Sequence, residues 1–351
     1  MKKYQVVETS ENFNHAGSKA TQDIAIIADG LGYSRLQVRM NTTKTTKMAK
    51  LQRQAGYLLD WEKCVKTVED GALILLQHPF HYPQFTRERT LLKLKEKKHV
   101  RYICLIHDVE QLRAFRYNDY YKREFDFMMK IADVFIVHND SMKSFFIDRG
   151  ISEDKLISLD IFDYLQETSI ERLPVFETSV TIAGNLDTTK CGYIGQLGLL
   201  SGVEINLYGI NYNNEMDKCR NVHYFGSFPS NEIPKQLKAG FGLVWDGNSL
   251  DGCVGQSGQY LRYNNPHKLS LYLSSGLPVV IWKEAAEAAF VQRHGVGICV
   301  DSLHELTAIF ETMNQTTYES YINSVRRIAP QLRKGQFGRT AILKAESILK
   351  V

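Results

Sequence analysis

The chain contains no apolar run long enough to span a bilayer. Its opening, MKKYQVVETSENFNHAG, breaks into polar residues after a few apolar ones, so neither a membrane anchor nor a signal peptide is expected. Cysteine is sparse and unpatterned: Cys64, Cys104, Cys191, Cys219, Cys253 and Cys299 show no CxxC spacing. That argues against structural zinc and fits a reduced, cytoplasmic protein whose thiols pack as small apolar groups. Neither a GxGxxG fingerprint nor a Walker loop is present, which leaves a dinucleotide fold or a P-loop without support. Charge of one sign is also lacking. A net +4 over 351 residues does not suggest a nucleic-acid binder, so any anionic partner has to be recognised locally. Short repeats and low-complexity segments are missing too.

What is present is the composition of an ordinary globular protein, 44% hydrophobic and 23% charged. The length exceeds what one core usually supports, so two domains are expected. Short β-rich runs alternate with longer helical stretches: KYQVVET, RLQVRM, ALILLQH, RYICLIH, VFIVHN and KLISLDIF, then SVTIAG, EINLYG, NVHYFG, GFGLVW, PVVIW and GICV. Strands that are apolar almost throughout, separated by helices, predict parallel sheets covered on both faces. The fold class is therefore α/β, with two doubly wound Rossmann-like domains facing a cleft. The aperiodic stretch 165–177, which includes Pro174, places the boundary near residue 170. The expected organisation is an N-terminal domain 1–170, a C-terminal domain 171–317, and a basic helical segment 318–351 crossing back to the first domain.

In such sheets ligands bind beyond the carboxyl ends of the strands, which singles out the strand-end loops. Gly17, Ser18 and Lys19 open a helix whose free amides suit a phosphate or sugar, although Ser18 could equally be a plain N-cap. His107 and Asp108 follow an apolar strand. A carboxylate or imidazole there could accept a proton from an attacking hydroxyl, and Asp108 could also cap the next helix. His138 and Asn139 repeat that position as a lining group and a cap. Gly184, Asn185 and Lys190 suit an anion, and Gly209, Gly226, Ser227, Asp246 and Gly247 extend the same edge as a shelf of turns. WDGNSLDGCVGQSGQYLRYNNPHK is a long glycine-rich polar stretch, which inside a compact domain is usually functional or mobile. The helix RERTLLKLKEKKHVR carries leucines on one face and lysines on the other. It is read as solvated, with a membrane-surface contact as the minor alternative.

The stretch YNNPHKLSLYLSSGLPVVIW places Lys268 at the head of a helix that ends at Gly276-Leu277-Pro278 and runs into a strand. It resembles the nucleotide-sugar helix of GT-B glycosyltransferases. Many retaining members carry a glutamate five residues before that glycine and another eight residues earlier; Leu271 and Tyr263 stand there instead. IHDVEQL, IAGN, GFGLVWDG, YNNPHKLSLYLSSGLPVV and LRKGQF are similar to a bacterial group of β-1,6-galactofuranosyltransferases and serine-rich-repeat adhesin glucosyltransferases. WDGNSLDG followed by GQYLRYNNPHK looks more like the galactofuranosyl branch.

The resemblance implies a UDP-sugar donor bound mainly by the C-terminal domain and a glycan, glycolipid or glycoprotein acceptor bound by the N-terminal one. No cofactor or metal is implied: Lys268 and Lys190 would be the diphosphate cations, with Gly184, Asn185, Ser227, Asn265 and Pro266 beside them. Gly17, Ser18, Lys19, His138 and Asp246 would line the acceptor side or the cleft. Transfer of galactofuranose from an α-linked donor to a β product requires inversion, with Asp108 as base and His107 as its orienter or substitute. UDP-glucose or UDP-N-acetylglucosamine are alternative donors, and a non-catalytic partner of another transferase is an alternative role. A homo-oligomer and a peripheral contact with the inner face of the cell membrane complete the expectations.

Overall fold

The computed structural model describes residues 1–10, 16–167, 174–189 and 191–350, and the side chains of Gly17 and Ser18 fall outside that description, as does Lys190. The first half runs β1 (Lys3–Ser10), α1 (Ala16–Asp29), β2 (Ser34–Met40), α2 (Lys47–Thr67), β3 (Leu73–His78), α3 (Arg87–Lys98), β4 (Arg101–Ile106), α4 (Glu110–Arg113), α5 (Asp119–Ile131), β5 (Val134–Val137), α6 (Asp140–Ile147) and β6 (Leu156–Ser158). The second runs β7 (Val175–Asn185), β8 (Glu204–Ile210), β9 (Val222–Tyr224), β10 (Ala239–Val244), α7 (Gly255–Tyr260), α8 (His267–Ser274), β11 (Val279–Trp282), α9 (Ala288–His294), β12 (Gly297–Val300), α10 (Glu305–Thr312), α11 (Gln315–Arg333) and α12 (Gln336–Ile348). Short 3-10 turns join several of these. Each apolar run named from the sequence contributes a strand.

The strands form two six-stranded sheets, ordered β2-β1-β3-β4-β5-β6 and β12-β11-β10-β7-β8-β9, with parallel pairing throughout. The first sheet shows why its strands read as unbroken apolar runs. Leu73 and Leu75 of β3, with Ile103 and Leu105 of β4, pack on one face. Ile74 and Leu76, with Tyr102, Cys104 and Ile106, pack on the other. Successive side chains point to opposite faces, so a strand buried on both sides needs apolar residues at every position.

One of those faces is covered by helices from both ends of the chain. Ile24, Ile27 and Ala28 of α1 pack with Ala341, Ile342 and Ala345 of α12. Lys3 pairs with Glu346 at 2.8 Å and the Tyr33 hydroxyl donates to the same carboxylate at 3.0 Å. The start of α12 is held by Asp163, whose carboxylate accepts the Phe337 and Gly338 amides at 3.2 and 2.6 Å. A Cβ at Gly338 would lie 3.0 Å from that carboxylate and 3.1 Å from Ile27, which explains the glycine beyond LRKGQF.

The basic helix α3 is tied into the protein more than its charge pattern suggests. Lys95 pairs with Asp133 at 2.7 Å, and Lys98 donates to the carbonyls of Val65 and Val68. No described helix is long and apolar enough to cross a membrane.

Candidate active site

Each sheet reverses its strand order once, between β1 and β3 in the first and between β7 and β10 in the second. Crevices open at such switch points beyond the strand ends. In the second sheet the crevice is bounded by Gly184-Asn185 and by Trp245-Asp246. The two loops are stitched together: Cys191 Sγ donates to Asp246 Oδ1 at 3.3 Å, the Tyr193 amide to the Gly247 carbonyl at 3.3 Å, and Gln196 to the Asn248 carbonyl at 2.7 Å. Burial, with the Asp246 carboxylate next to it, pushes the Cys191 thiol up to about 12, while Lys268 pulls the other way. The shelf is backbone-thin at Gly209, where an added Cβ would lie 1.7 Å from the Gly184 carbonyl oxygen.

Lys268, in the first turn of α8, points into this crevice. Its Nζ donates to the Trp245 carbonyl at 2.9 Å, and no carboxylate pairs with it among the described residues. A half-buried ammonium without a counter-ion beside helix-start amides is a site for an anion. Asn185 lies on the same shelf, its carboxamide oxygen accepting from Asn211 at 2.8 Å and from the Asp187 amide at 3.2 Å. Ser227 is exposed beyond β9, the edge strand two positions from the switch point.

On the first sheet, His107 and Asp108 follow β4. Asp108 does not cap the next helix, whose N-cap residue is Val109. Its Oδ2 accepts from Arg113 at 2.8 Å and its Oδ1 from the Tyr260 hydroxyl at 3.2 Å. That hydroxyl in turn accepts the Val109 amide at 3.0 Å. Burial, aided by Glu110, raises the Asp108 carboxyl above its ordinary value against the opposing pull of Arg113 and Tyr260. Arg113 also feels the charge of Asp246, which belongs to the second sheet. The two crevices therefore face one another. Tyr260 and Arg113 were not singled out from the sequence; Tyr260 lies within the long polar stretch, and that stretch was the available signal.

His107 Nε2 donates to Gln77 at 2.7 Å and the ring stacks on Phe162, with centroids 5.2 Å apart. Burial, then the neighbouring His138, depresses its pKa well below the usual value, so the ring is neutral and presents Nδ1 as an acceptor. Across β1 and β3, Glu8 accepts from Gln84, whose Oε1 accepts from Trp61 at 2.7 Å. Burial pushes Glu8 up to about 7 against the pull of Arg87.

Several expected ligand contacts are occupied within the protein. His138 is fully buried. Its Nε2 donates to the His107 carbonyl at 3.0 Å and its Nδ1 accepts the Asn265 amide at 3.1 Å, so it joins the two halves and is not a cleft-lining group. Asn265, expected beside the donor, is buried too; its carboxamide accepts the Phe162 amide at 3.3 Å and donates to Asp160 at 3.4 Å. Lys19 pairs with Asp23, donates to the Leu165 carbonyl at 3.0 Å and lies over the Tyr164 ring. Lys19 and Asn265 take partners from the segment 160–165 that leaves β6 for the second sheet, and His138 takes one from the turn before α8. Asn139 acts as the predicted cap, accepting the Met142 amide at 3.0 Å, and also bonds Glu287 at 2.8 Å. Pro266 occupies the N-cap position of α8, and Leu271, where a glutamate was sought, is buried in the core.

Two parallel doubly wound sheets with facing switch-point crevices form the GT-B fold, and solved structures share this arrangement at low identity. HepE of Anabaena in complex with UDP-glucose superposes with a TM-score of 0.59 at 12% identity, over 99% of this chain and 100% of that one. A glycosyltransferase from Rickettsia africae gives 0.62 at 12% over the whole of both chains.

Models described as the N-terminal and C-terminal domains of Glucosyltransferase 3-like proteins match residues 3–161 and 180–345. The β-1,6-galactofuranosyltransferase WbbI of Escherichia coli K12 is 35% identical over 71% of this chain and 72% of its own length. Glucosyltransferase 3 of Streptococcus gordonii is 24% identical over 93% and 92% respectively. The chain belongs to this family of Glucosyltransferase 3-like and β-1,6-galactofuranosyl transferases.

Proposed function

We propose that the chain transfers galactofuranose from UDP-galactofuranose to a hydroxyl of a glycan acceptor in cell-surface polysaccharide synthesis, with inversion at the anomeric carbon. The observation that carries the reading is the placement of Lys268, a cation with no carboxylate partner among the described residues, at the β7–β10 crevice, which faces the end of β4 where Asp108 sits with Arg113. In an inverting step the acceptor oxygen attacks from the face opposite UDP. The bond to the β-phosphate oxygen breaks with its electron pair leaving on the diphosphate, and the hydroxyl proton passes to a base. Asp108 is assigned as that base: Arg113 and Tyr260 fix its orientation, and burial raises its affinity for a proton. Lys268, with Lys190 and the backbone at Gly184-Asn185, is assigned to the diphosphate, where fixed positive charge stabilises the leaving group.

The preference for galactofuranose rests on the 35% identity to WbbI. UDP-glucose is the second reading, favoured by the Glucosyltransferase 3 relatives, which align over more than nine-tenths of the chain. Incubating the enzyme with a panel of UDP-sugars and a glycan acceptor, and following UDP release, separates them. UDP-galactofuranose is expected to give the fastest release and a β-linked product by NMR. Preferential turnover of UDP-glucose would transfer the assignment, and no release with any donor would remove it.

A further inference from the structure

Helix α2 is amphipathic in an unusual sense: its outward face is apolar too. Tyr57, Trp61 and Cys64 point into the core, while Met48, Leu51 and Leu59 are 65%, 66% and 58% exposed, with Leu58 and Ala55 exposed beside them. At about 100° per residue, positions 48, 51, 55, 58 and 59 fall within roughly a third of the helix circumference, opposite the buried face. The loop after β3 widens this stripe. Gln54 donates to the Pro83 carbonyl at 2.8 Å and accepts the Phe85 amide at 3.1 Å, which holds the backbone of Phe85, its side chain 82% exposed, against the flank of α2 next to this stripe. A contiguous apolar patch of this kind on a soluble surface marks an interaction site.

Its charge indicates the occupant. From residue 41 to 59 the chain carries Lys44, Lys47, Lys50 and Arg53 and no Asp or Glu; Lys47 flanks the stripe, Arg53 is turned away from it onto the Thr42 carbonyl, and the stripe ends a turn later at Glu62 and Lys66. An anionic bilayer offers the complement, with hydrocarbon for the stripe and phosphate for its basic rim. The N-terminus of α2 and the loop after β3 both lie at the carboxyl edge of the first sheet, the edge that also carries Asp108.

We propose that α2 and Phe85 form a membrane-docking surface that seats the first sheet's crevice against an anionic lipid bilayer. The inference is independent of which sugar is transferred. It moves the membrane contact from α3, whose Lys95 and Lys98 are held internally, to α2.

The test is co-sedimentation of the purified full-length chain with vesicles of phosphatidylglycerol and phosphatidylcholine, or of phosphatidylcholine alone. Binding is expected with the anionic vesicles only and weakens with added salt. Leu51→Gln/Leu58→Gln should abolish it, and Lys47→Glu/Lys50→Glu should lower partitioning by about fivefold or more per charge. The exposed α3 pair Lys93→Glu/Lys97→Glu should leave it unchanged. Thermal melts and UDP release on a soluble acceptor, expected to match wild type, show that the variants are folded. Failure of the wild type to bind anionic vesicles overturns the proposal, as does binding indifferent to the α2 variants. A wild-type oligomer that Leu51→Gln/Leu58→Gln converts to a monomer overturns it in favour of self-association.

Discussion

The Tyr260 hydroxyl donates to Asp108 Oδ1 at 3.2 Å across 152 positions of sequence, and the same oxygen accepts the buried Val109 amide at 3.0 Å. One side chain from the glycine-rich stretch of the second half thus fixes the carboxylate at the end of β4. That long polar segment has its explanation here: it carries Tyr260 across to the first sheet.

Tyr260→Phe removes both bonds and keeps the ring. The buried Val109 amide loses its partner, so stability should fall by about 1–3 kcal/mol in denaturant titrations. The carboxyl loses a donor that favours its charged form, so its pKa rises, and the acid limb of the pH–rate profile should move to higher pH. An unmoved limb would separate Tyr260 from the base.

Asp108→Asn keeps the shape of the side chain and removes its basicity. Turnover measured by UDP release should fall by about a hundredfold to ten-thousandfold, while UDP affinity by calorimetry stays near wild type because Lys268, the residue proposed to hold the diphosphate, lies on α8 beside the second sheet. Full activity in this variant would favour a non-catalytic role for the carboxylate.

The stability contributed by the carboxyls Glu8 and Asp163 should fall as pH rises from about 5 to about 8, while His81, His138 and His267, depressed to about 4 chiefly by desolvation, act in the opposite direction below about 6.5. Burial holds Glu8 up to about 7 from its ordinary 4.5, and Asp163 up to about 7 from 3.8. Between the unfolded and folded values the native protein binds more protons than the unfolded chain, so the stabilising contribution is present at the acid end of the window and is lost as pH climbs through about 7. Glu8→Gln, which still offers Gln84 an acceptor, should remove this carboxyl's share, so the melting-temperature difference between wild type and variant should change with pH across that window in the wild type's disfavour as pH rises. A difference independent of pH would contradict the raised affinity of Glu8 for its proton.

Most of the fold was legible because its signals are local. A strand buried on both faces must be apolar at consecutive positions, and Leu73 to Leu76 obey that rule without any knowledge of their neighbours. The helix headed by Lys268 was legible for a similar reason, since Pro266 ahead of it and Gly276 behind it bound one helix. The pairings that decide which polar groups are free were not legible. His138 with Asn265, Tyr260 with Asp108 and Lys95 with Asp133 join residues far apart in sequence, and nothing near any of them encodes its partner. That is why His138, read as a lining group, and Asn265, read as a donor contact, prove to be struts, and why Tyr260 and Arg113 carry no signal of their own in the sequence.

The most direct test of the account is a crystal structure with UDP bound. Lys268 Nζ is expected to leave the Trp245 carbonyl for a diphosphate oxygen, with the phosphates lying over Gly184-Asn185 and the open face of the site turned toward Asp108. A diphosphate bound elsewhere, with Lys268 still on Trp245, would contradict it.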